Sequence, residues 1–387
     1  MSQAPLYLNA FLLTVVLIVL FRDIASRAGF VDRPDQERKR HQGDVPLVGG
    51  LAMFPAFVVA SIFLAPDLRA PLGVMAGLGA LVVVGAIDDR FGLRAGVRLT
   101  AQTGAALLMI WPIAPSVDWF AGTPAEVLAL AAFAGAPLAL VFVVGLANAF
   151  NMMDGLDGLA GGAAASALFW LALTAMAMGR EDAIVAALPL LFSVLGFLVF
   201  NLRHRWRAKA SVFMGDAGSL MLGAAVAYFS LSLANGGERV VSMGPLLWIC
   251  ALPAIETLSL IVRRLRAGRS PMAGDRRHLH HLLVDAGMSP RSAAATLIVA
   301  CGTLGALGYM AAILGVDDLA IFVGLALVAA LHSLVVWKAP AWIALQLAKP
   351  DGAGALQAAR SISDRLAGPA SGLSAAIVSP AETEEAR

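Results

Sequence analysis

The sequence predicts an all-α fold: a polytopic membrane bundle of about eleven transmembrane helices, with its polar chemistry confined to loops on one face. Three observations carry this. Hydrophobic residues make up 59% of the 387 and charged residues 14%, where a soluble domain carries roughly 25% charged. Mean hydropathy is +0.80. The apolar residues fall in long runs spread along the chain, which leaves no room for a separate soluble catalytic domain.

A spanning helix needs about 20 mostly apolar residues. In order, the runs are Tyr7 to Phe21, Val48 to Leu64, Pro71 to Ile87, Gln102 to Ile113, Val127 to Leu146, Leu159 to Met178, Ile184 to Phe200, Gly218 to Ala234, Val241 to Val262, Ala294 to Leu314 and Leu319 to Trp337. The fourth is short and starts polar. The fifth contains Pro137, a place for a kink. The first lacks a preceding basic region and a small-residue cleavage site, so it reads as a retained helix rather than a signal peptide. Residues 1–340 are expected to form the transmembrane domain, and 341–387, rich in Ala, Gly and Ser, a disordered tail. Cys250 and Cys301 sit in apolar runs and read as small core residues.

Basic residues set the orientation. All but Arg69, Arg180 and Arg239 of the 28 Lys and Arg lie after odd-numbered runs or in the tail. Positive charge marks the cytoplasmic side, so the C-terminus is expected in the cytoplasm and the N-terminus outside.

Every unusual polar cluster falls on that same side. The segment Asn148-Ala-Phe-Asn151-Met-Met-Asp154-Gly-Leu-Asp157-Gly158 brings amides and carboxylates to a membrane edge. If it is helical, Asn151, Asp154 and Asp157 lie on neighbouring parts of one face. Such oxygen ligands suit Mg²⁺, which keeps several waters and shares itself with phosphates. The same residue types also make an ordinary polar turn between helices. Asp88 and Asp89 close the third run; adjacent acids at a membrane edge are costly without a metal or Arg partner, and Arg94 and Arg98 follow closely. Arg38-Lys39-Arg40-His41 precedes a turn ending in Gly49-Gly50, a basic loop that could close over phosphates or simply anchor the chain. Phe213-Met-Gly-Asp216-Ala-Gly-Ser219 places one carboxylate between glycines just before a helix, with an aromatic face nearby. Asp275-Arg276-Arg277-His278-Leu-His280-His281 puts three histidines among arginines, which favours a bound anion over a bound dication.

Taken together, these clusters resemble the polyprenyl-phosphate N-acetylhexosamine-1-phosphate transferase family (glycosyltransferase family 4), most closely its WecA-type branch. The motifs appear in family order over about residues 30 to 290. Two departures stand out. The Asp32 to Arg38 stretch looks one residue longer than usual, and Glu256 stands where relatives tend to carry Asp.

The resemblance implies transfer of N-acetylhexosamine 1-phosphate, with N-acetylglucosamine the expected sugar, from a UDP-sugar to undecaprenyl phosphate. UMP is the other product, and the step opens cell-surface polysaccharide synthesis, O-antigen included, at a bacterial inner membrane. The implied cofactor is Mg²⁺, with Mn²⁺ as a substitute. The implied partners are the UDP-N-acetylhexosamine, undecaprenyl phosphate and membrane lipids; a homo-oligomer is compatible, and nucleic acid is not expected. Asp88, Asp89 and Asp216 are the expected catalytic residues, with Asp216 and Asn151 as metal ligands. Asn148, Asp154, Asp157 and Phe213 would bind the nucleotide side. Arg276, His278, His280 and His281 would hold diphosphate and sugar, and Lys39 and His41 would close the site. Within the family, a phospho-MurNAc-pentapeptide transferase is the alternative. Outside it, a Mg²⁺-dependent prenyltransferase leaves the histidines unexplained, and a transporter would place its charges at mid-membrane.

Overall fold

The computed structural model describes residues 4–33, 43–63, 70–113, 125–235, 241–270 and 278–347. Among them the chain is almost entirely helical. The helices are α1 (Ala4–Ala28), α2 (Gly49–Ile62), α3 (Leu72–Phe91), α4 (Ala95–Ile110), α5 (Ala125–Met153), α6 (Leu159–Ala177) and α7 (Glu181–Asn201). After these come α8 (Gly215–Ala234), α9 (Met243–Ile249), α10 (Ala251–Arg266), α11 (Leu279–Asp285), α12 (Pro290–Leu314) and α13 (Asp318–Leu347). The strands β1 (Val31–Asp32) and β2 (Val45–Pro46) pair antiparallel and bring together the ends of the first loop.

All eleven expected runs are helical, but fewer are long enough to cross a membrane. Among the described residues, eight helices meet that requirement, and α9 with α10 makes a ninth if a pair bent by 83° counts as one span. The bend has a chemical cause. Pro253 lacks the N–H that would bond back to the Ile249 carbonyl and continue α9. The helices that fall short are α2, with 14 residues, and α4, with 16. At 1.5 Å per residue they reach roughly 21 and 24 Å, less than the ~30 Å hydrocarbon core. Pro137 lies within α5 without ending it. At the far end α13 runs on to Leu347, and 348–387 lies outside the described residues.

The bundle is organised around α8, nearly every residue of which is buried. It packs against α5, α3 and α2. Small residues make the approach possible. A Cβ at Gly85 of α3 would collide with the Ala217 backbone, and one at Gly50 of α2 with Gly218. Close backbone contact through glycine supplies the dispersion that joins helices where lipid tails remove any hydrophobic drive. By contrast α1, α12 and α13 turn much of their apolar surface outward, with Leu12, Val299 and Leu327 exposed. Cys250 and Cys301 are free and buried.

Candidate active site

The C-terminal ends of α3, α5 and α7 meet the N-terminal ends of α6 and α8 at one edge of the bundle. This convergence assembles the acidic residues from distant parts of the sequence.

Asp88 and Asp89 are adjacent in sequence but are turned to different partners. Asp88 is buried; its Oδ2 accepts from Arg98 Nη1 at 2.8 Å and its Oδ1 from the Leu93 backbone N–H at 2.6 Å. Asp89 crosses to α8, where Oδ1 accepts from the Asp216 backbone N–H at 2.9 Å and Oδ2 from Ala217 at 3.4 Å. An acid there satisfies orphan donors and meets the positive end of the helix dipole. The two adjacent carboxyls are thus held by separate partners.

Asp216 and Asn151 are brought together as expected. Asn151 Nδ2 donates to Asp216 Oδ1 at 2.7 Å and to Ser219 Oγ at 3.0 Å. Arg98 Nη1 lies 3.7 Å from Asp216 Oδ2, so one guanidinium spans two carboxylates of different helices.

The acidic segment is not one helix. The α5 helix stops at Met153, and Asp154 to Gly158 forms a turn before α6. Gly158 takes φ +82°, a left-handed conformation that glycine adopts without penalty. Asn151, Asp154 and Asp157 therefore do not share a helix face. Asp157 Oδ2 accepts from Arg203 Nε at 2.6 Å and from the Ala210 N–H at 2.9 Å. Its role here is to tie the turn to the loop between α7 and α8. Asn201 does the same from the other side: its Oδ1 accepts from the Gly158 N–H at 2.7 Å, and its Nδ2 donates to the Val212 carbonyl at 2.9 Å. Sequence reading missed Asn201; a lone amide ending an apolar run was the available signal.

Asp154 is half-buried and has no hydrogen bond or ion pair through its carboxyl among the described residues. Burial first, then the carboxylates of Asp216, Asp89 and Asp157, pushes its acid up to about 8. The turn is short of positive charge at that point.

Asn148 faces α4 instead. Its Nδ2 donates to Gln102 Oε1 at 2.6 Å and to the Val144 carbonyl at 2.8 Å, so it serves a helix–helix contact. The Gly49 and Gly50 N–H groups donate to the carbonyls of Phe213 and Met214 at 3.0 and 3.1 Å. That glycine pair joins α2 to the loop before α8. Phe213 is half-buried beside Asp216.

His278 and His280 are buried, and their rings stack with centroids 5.3 Å apart; His280 and His281 are 4.2 Å apart. His280 packs on Gly155, where any Cβ would collide with the ring, so the histidines lie against the acidic turn. Lys39, His41 and Arg276 lie outside the described residues.

The donor set fits a hard dication. Among the described residues, no group of three or more His, Cys, Asp or Glu is already gathered as a metal cage. Mg²⁺ does not need one, since it binds through one or two carboxylates plus water and substrate phosphates. Asp216, the carbonyl of Asn151 and the charge-deficient turn at Asp154 match that demand.

The glycosyl transferase family 4 model matches residues 71–234, a stretch that holds every acid of this site. The undecaprenyl-phosphate alpha-N-acetylglucosaminyl 1-phosphate transferase of Escherichia coli (strain K12) is 32% identical over 309 residues, 79% of this chain and 82% of that protein. The protein of that name from Salmonella typhi is 36% identical over 311 residues, with the same coverage of 79% and 82%. That of Haemophilus influenzae is 31% identical over 340 residues, 87% of this chain and 94% of that protein. On this likeness, and with the family's motifs gathered at one edge of a membrane bundle, the chain belongs to glycosyl transferase family 4.

Proposed function

We propose that the protein transfers N-acetylglucosamine 1-phosphate from its UDP derivative to undecaprenyl phosphate and releases UMP. The names of the relatives supply the transferred group and the acceptor. The observation that carries the reading is the constellation of Asp89, Asp216, Asn151 and Arg98 at one edge of an apolar bundle. A lipid-borne phosphate and a water-borne nucleotide sugar can both reach such an edge. The same reading puts this end of the bundle in the cytoplasm of a bacterial inner membrane.

In this reaction an oxygen of the lipid phosphate attacks the β-phosphorus of the donor. A new P–O bond forms there. The bond from that phosphorus to the bridging oxygen breaks, and UMP leaves with its electron pair. The sugar–oxygen bond is untouched. A phosphate monoester, with a second pKa of about 6, is largely ionised at neutral pH and needs no strong base. The work is to hold two anions together in line.

Mg²⁺, with Mn²⁺ as a substitute, is the proposed cofactor; held by Asp216 and Asn151, it would offset the charge of the diphosphate. The chain's own residues do the rest. Arg98, braced by Asp88, presents a guanidinium to the lipid phosphate. Asp89 fixes the start of α8 and hence Asp216. Asp157 and Asn201 hold the turn that carries Asp154. Phe213 offers a face to uracil. His278, His280 and His281 hold diphosphate and sugar; Arg276, Lys39 and His41, outside the described residues, are the further substrate-binding residues of this reading.

The test is UMP release by purified protein in detergent with undecaprenyl phosphate, Mg²⁺ and a panel of UDP-sugars. Release that requires lipid and metal and is fastest with UDP-N-acetylglucosamine is the expected result. Release only with UDP-MurNAc-pentapeptide, or none from folded protein, would overturn the reading.

A further inference from the structure

Glu256 has a structural partner on the last span. Glu256 is 5% exposed and lies on α10, beyond the bend from α9. Its oxygens serve different neighbours. Oε1 accepts from the Leu279 backbone N–H at 2.8 Å and lies 3.4 Å from His278 Nδ1. Oε2 lies 2.7 Å from Nε2 of His332, a buried residue of α13. A carboxylate this far from water persists only with partners. Here one is the start of the histidine segment and the other is a single histidine in an apolar helix. The line continues inward: His278 stacks on His280, and His280 packs on Gly155, next to Asp154. Contact therefore runs without a break from α13 to the acidic turn.

Other ties hold α13 in place without reaching the histidines. Trp248 Nε1 donates to the Ile321 carbonyl at 3.1 Å, Ser333 Oγ lies 3.4 Å from Ser259 Oγ, and the Arg266 guanidinium sits 4.8 Å above Trp337. His332 reaches the histidine segment through Glu256, beside the direct apolar packing of Val336 on Leu282 of α11.

We propose that Glu256 and His332 are positioning residues that set the seat of the His278–His281 segment over the acidic turn, and thereby the affinity for the nucleotide-sugar diphosphate. This rests on the transferase reading of the site. Outer partners that orient functional histidines commonly matter about 10- to 100-fold. The lipid phosphate, which the proposed function gives to Arg98, depends on them little.

The test compares His332→Leu, which keeps bulk but leaves Oε2 unpaired, with His332→Gln, whose amide nitrogen can again donate to Oε2. In His332→Leu the KM for the UDP-sugar should rise about tenfold or more, while kcat and the KM for undecaprenyl phosphate move less than about threefold. His332→Gln should bring the donor KM back to within about threefold of the parent. Hydrogen exchange of the same proteins supplies a readout independent of turnover. The α11 amides should exchange faster in His332→Leu and recover in His332→Gln, with α12 unchanged. Unaltered protection of α11 in His332→Leu would overturn the proposal, as would an equal rise in both KM values with loosening across α12. A parent protein that releases no UMP would sink the transferase reading alone, and exchange would still decide the link from His332 to α11.

Discussion

The side chain of Asp89 caps the helix that carries Asp216 in its first turn, with Asp89 Oδ1 2.9 Å from the Asp216 backbone nitrogen across 127 residues of sequence. The link makes one acid a structural condition for the other. Gly215 sharpens the fit, since a Cβ there would press on Asp89 Oδ2. Replacing a capping acid by Ala costs about 0.5–2 kcal/mol. Asp89→Ala should therefore lose about 1 kcal/mol of stability in a mixed-detergent unfolding titration. It should also lose turnover, because Asp216 is no longer held. Full turnover in Asp89→Ala would contradict the link.

Arg98 is the cation shared by Asp88 and Asp216. Removing one partner of a buried pair typically costs about 3–5 kcal/mol. Asp88 is buried but Arg98 is a quarter exposed, so Arg98→Ala should sit at the low end, about 3 kcal/mol. Adding Asp88→Ala should recover part of that stability, because the more buried of the two carboxylates that Arg98 serves is no longer left unpaired, yet should not restore UMP release. Arg98→Lys supplies the charge without the planar fork and should fold well while turning over slowly. A double variant no more stable than Arg98→Ala would show that the two residues do not act as a pair.

Gly155 is where the histidines touch the acidic turn. Gly155→Ala forces the His280 ring away. Displacements near 1 Å can cost about 100-fold in rate, and a loss of that order is expected in UMP release. Gly155→Ala combined with His280→Ala should relieve the collision, read as regained stability, without regaining activity. Normal turnover in Gly155→Ala would remove His280 from the site.

Metal dependence is the next expectation. Chelation should abolish UMP release, and added Mg²⁺ should restore it, with Mn²⁺ as a working substitute. Asp216→Asn should shift the Mg²⁺ requirement to higher concentration while leaving the fold intact, because Asn can still accept from Asn151 Nδ2. An unchanged Mg²⁺ titration in Asp216→Asn would take this residue out of the metal site.

Much of this molecule was legible in its sequence because lipid imposes a simple rule: backbone groups must be satisfied within the segment, so each apolar run becomes a helix. Polar residues at one edge then stand out, and Asp88, Asp89, Asn151, Asp154 and Asp216 do converge. The count of spans was less legible. A break such as the one at Cys250 and the shortness of α2 and α4 depend on local bonding within runs that look continuous. Partner choice was least legible. Nothing local in the sequence tells that Asp157 serves Arg203 and Ala210, that the Gly49 N–H donates to the Phe213 carbonyl, or that His332 meets Glu256. These bonds join residues 46 or more apart, and only packing brings them into contact. The spacing of Asn151, Asp154 and Asp157 left open whether they share a helix face or lie in a turn; α5 ends at Met153 and Gly158 takes a left-handed conformation, so the segment is a turn.

The most direct test of the central claim follows the β-phosphorus. UDP-N-acetylglucosamine radiolabelled at the β-phosphate is incubated with the protein, Mg²⁺ and undecaprenyl phosphate, and lipid is extracted. The account predicts that the label moves into the lipid fraction one for one with UMP released, because phosphate travels with the sugar. Label that stays in water as UDP while sugar enters the lipid would show ordinary glycosyl transfer and contradict the account.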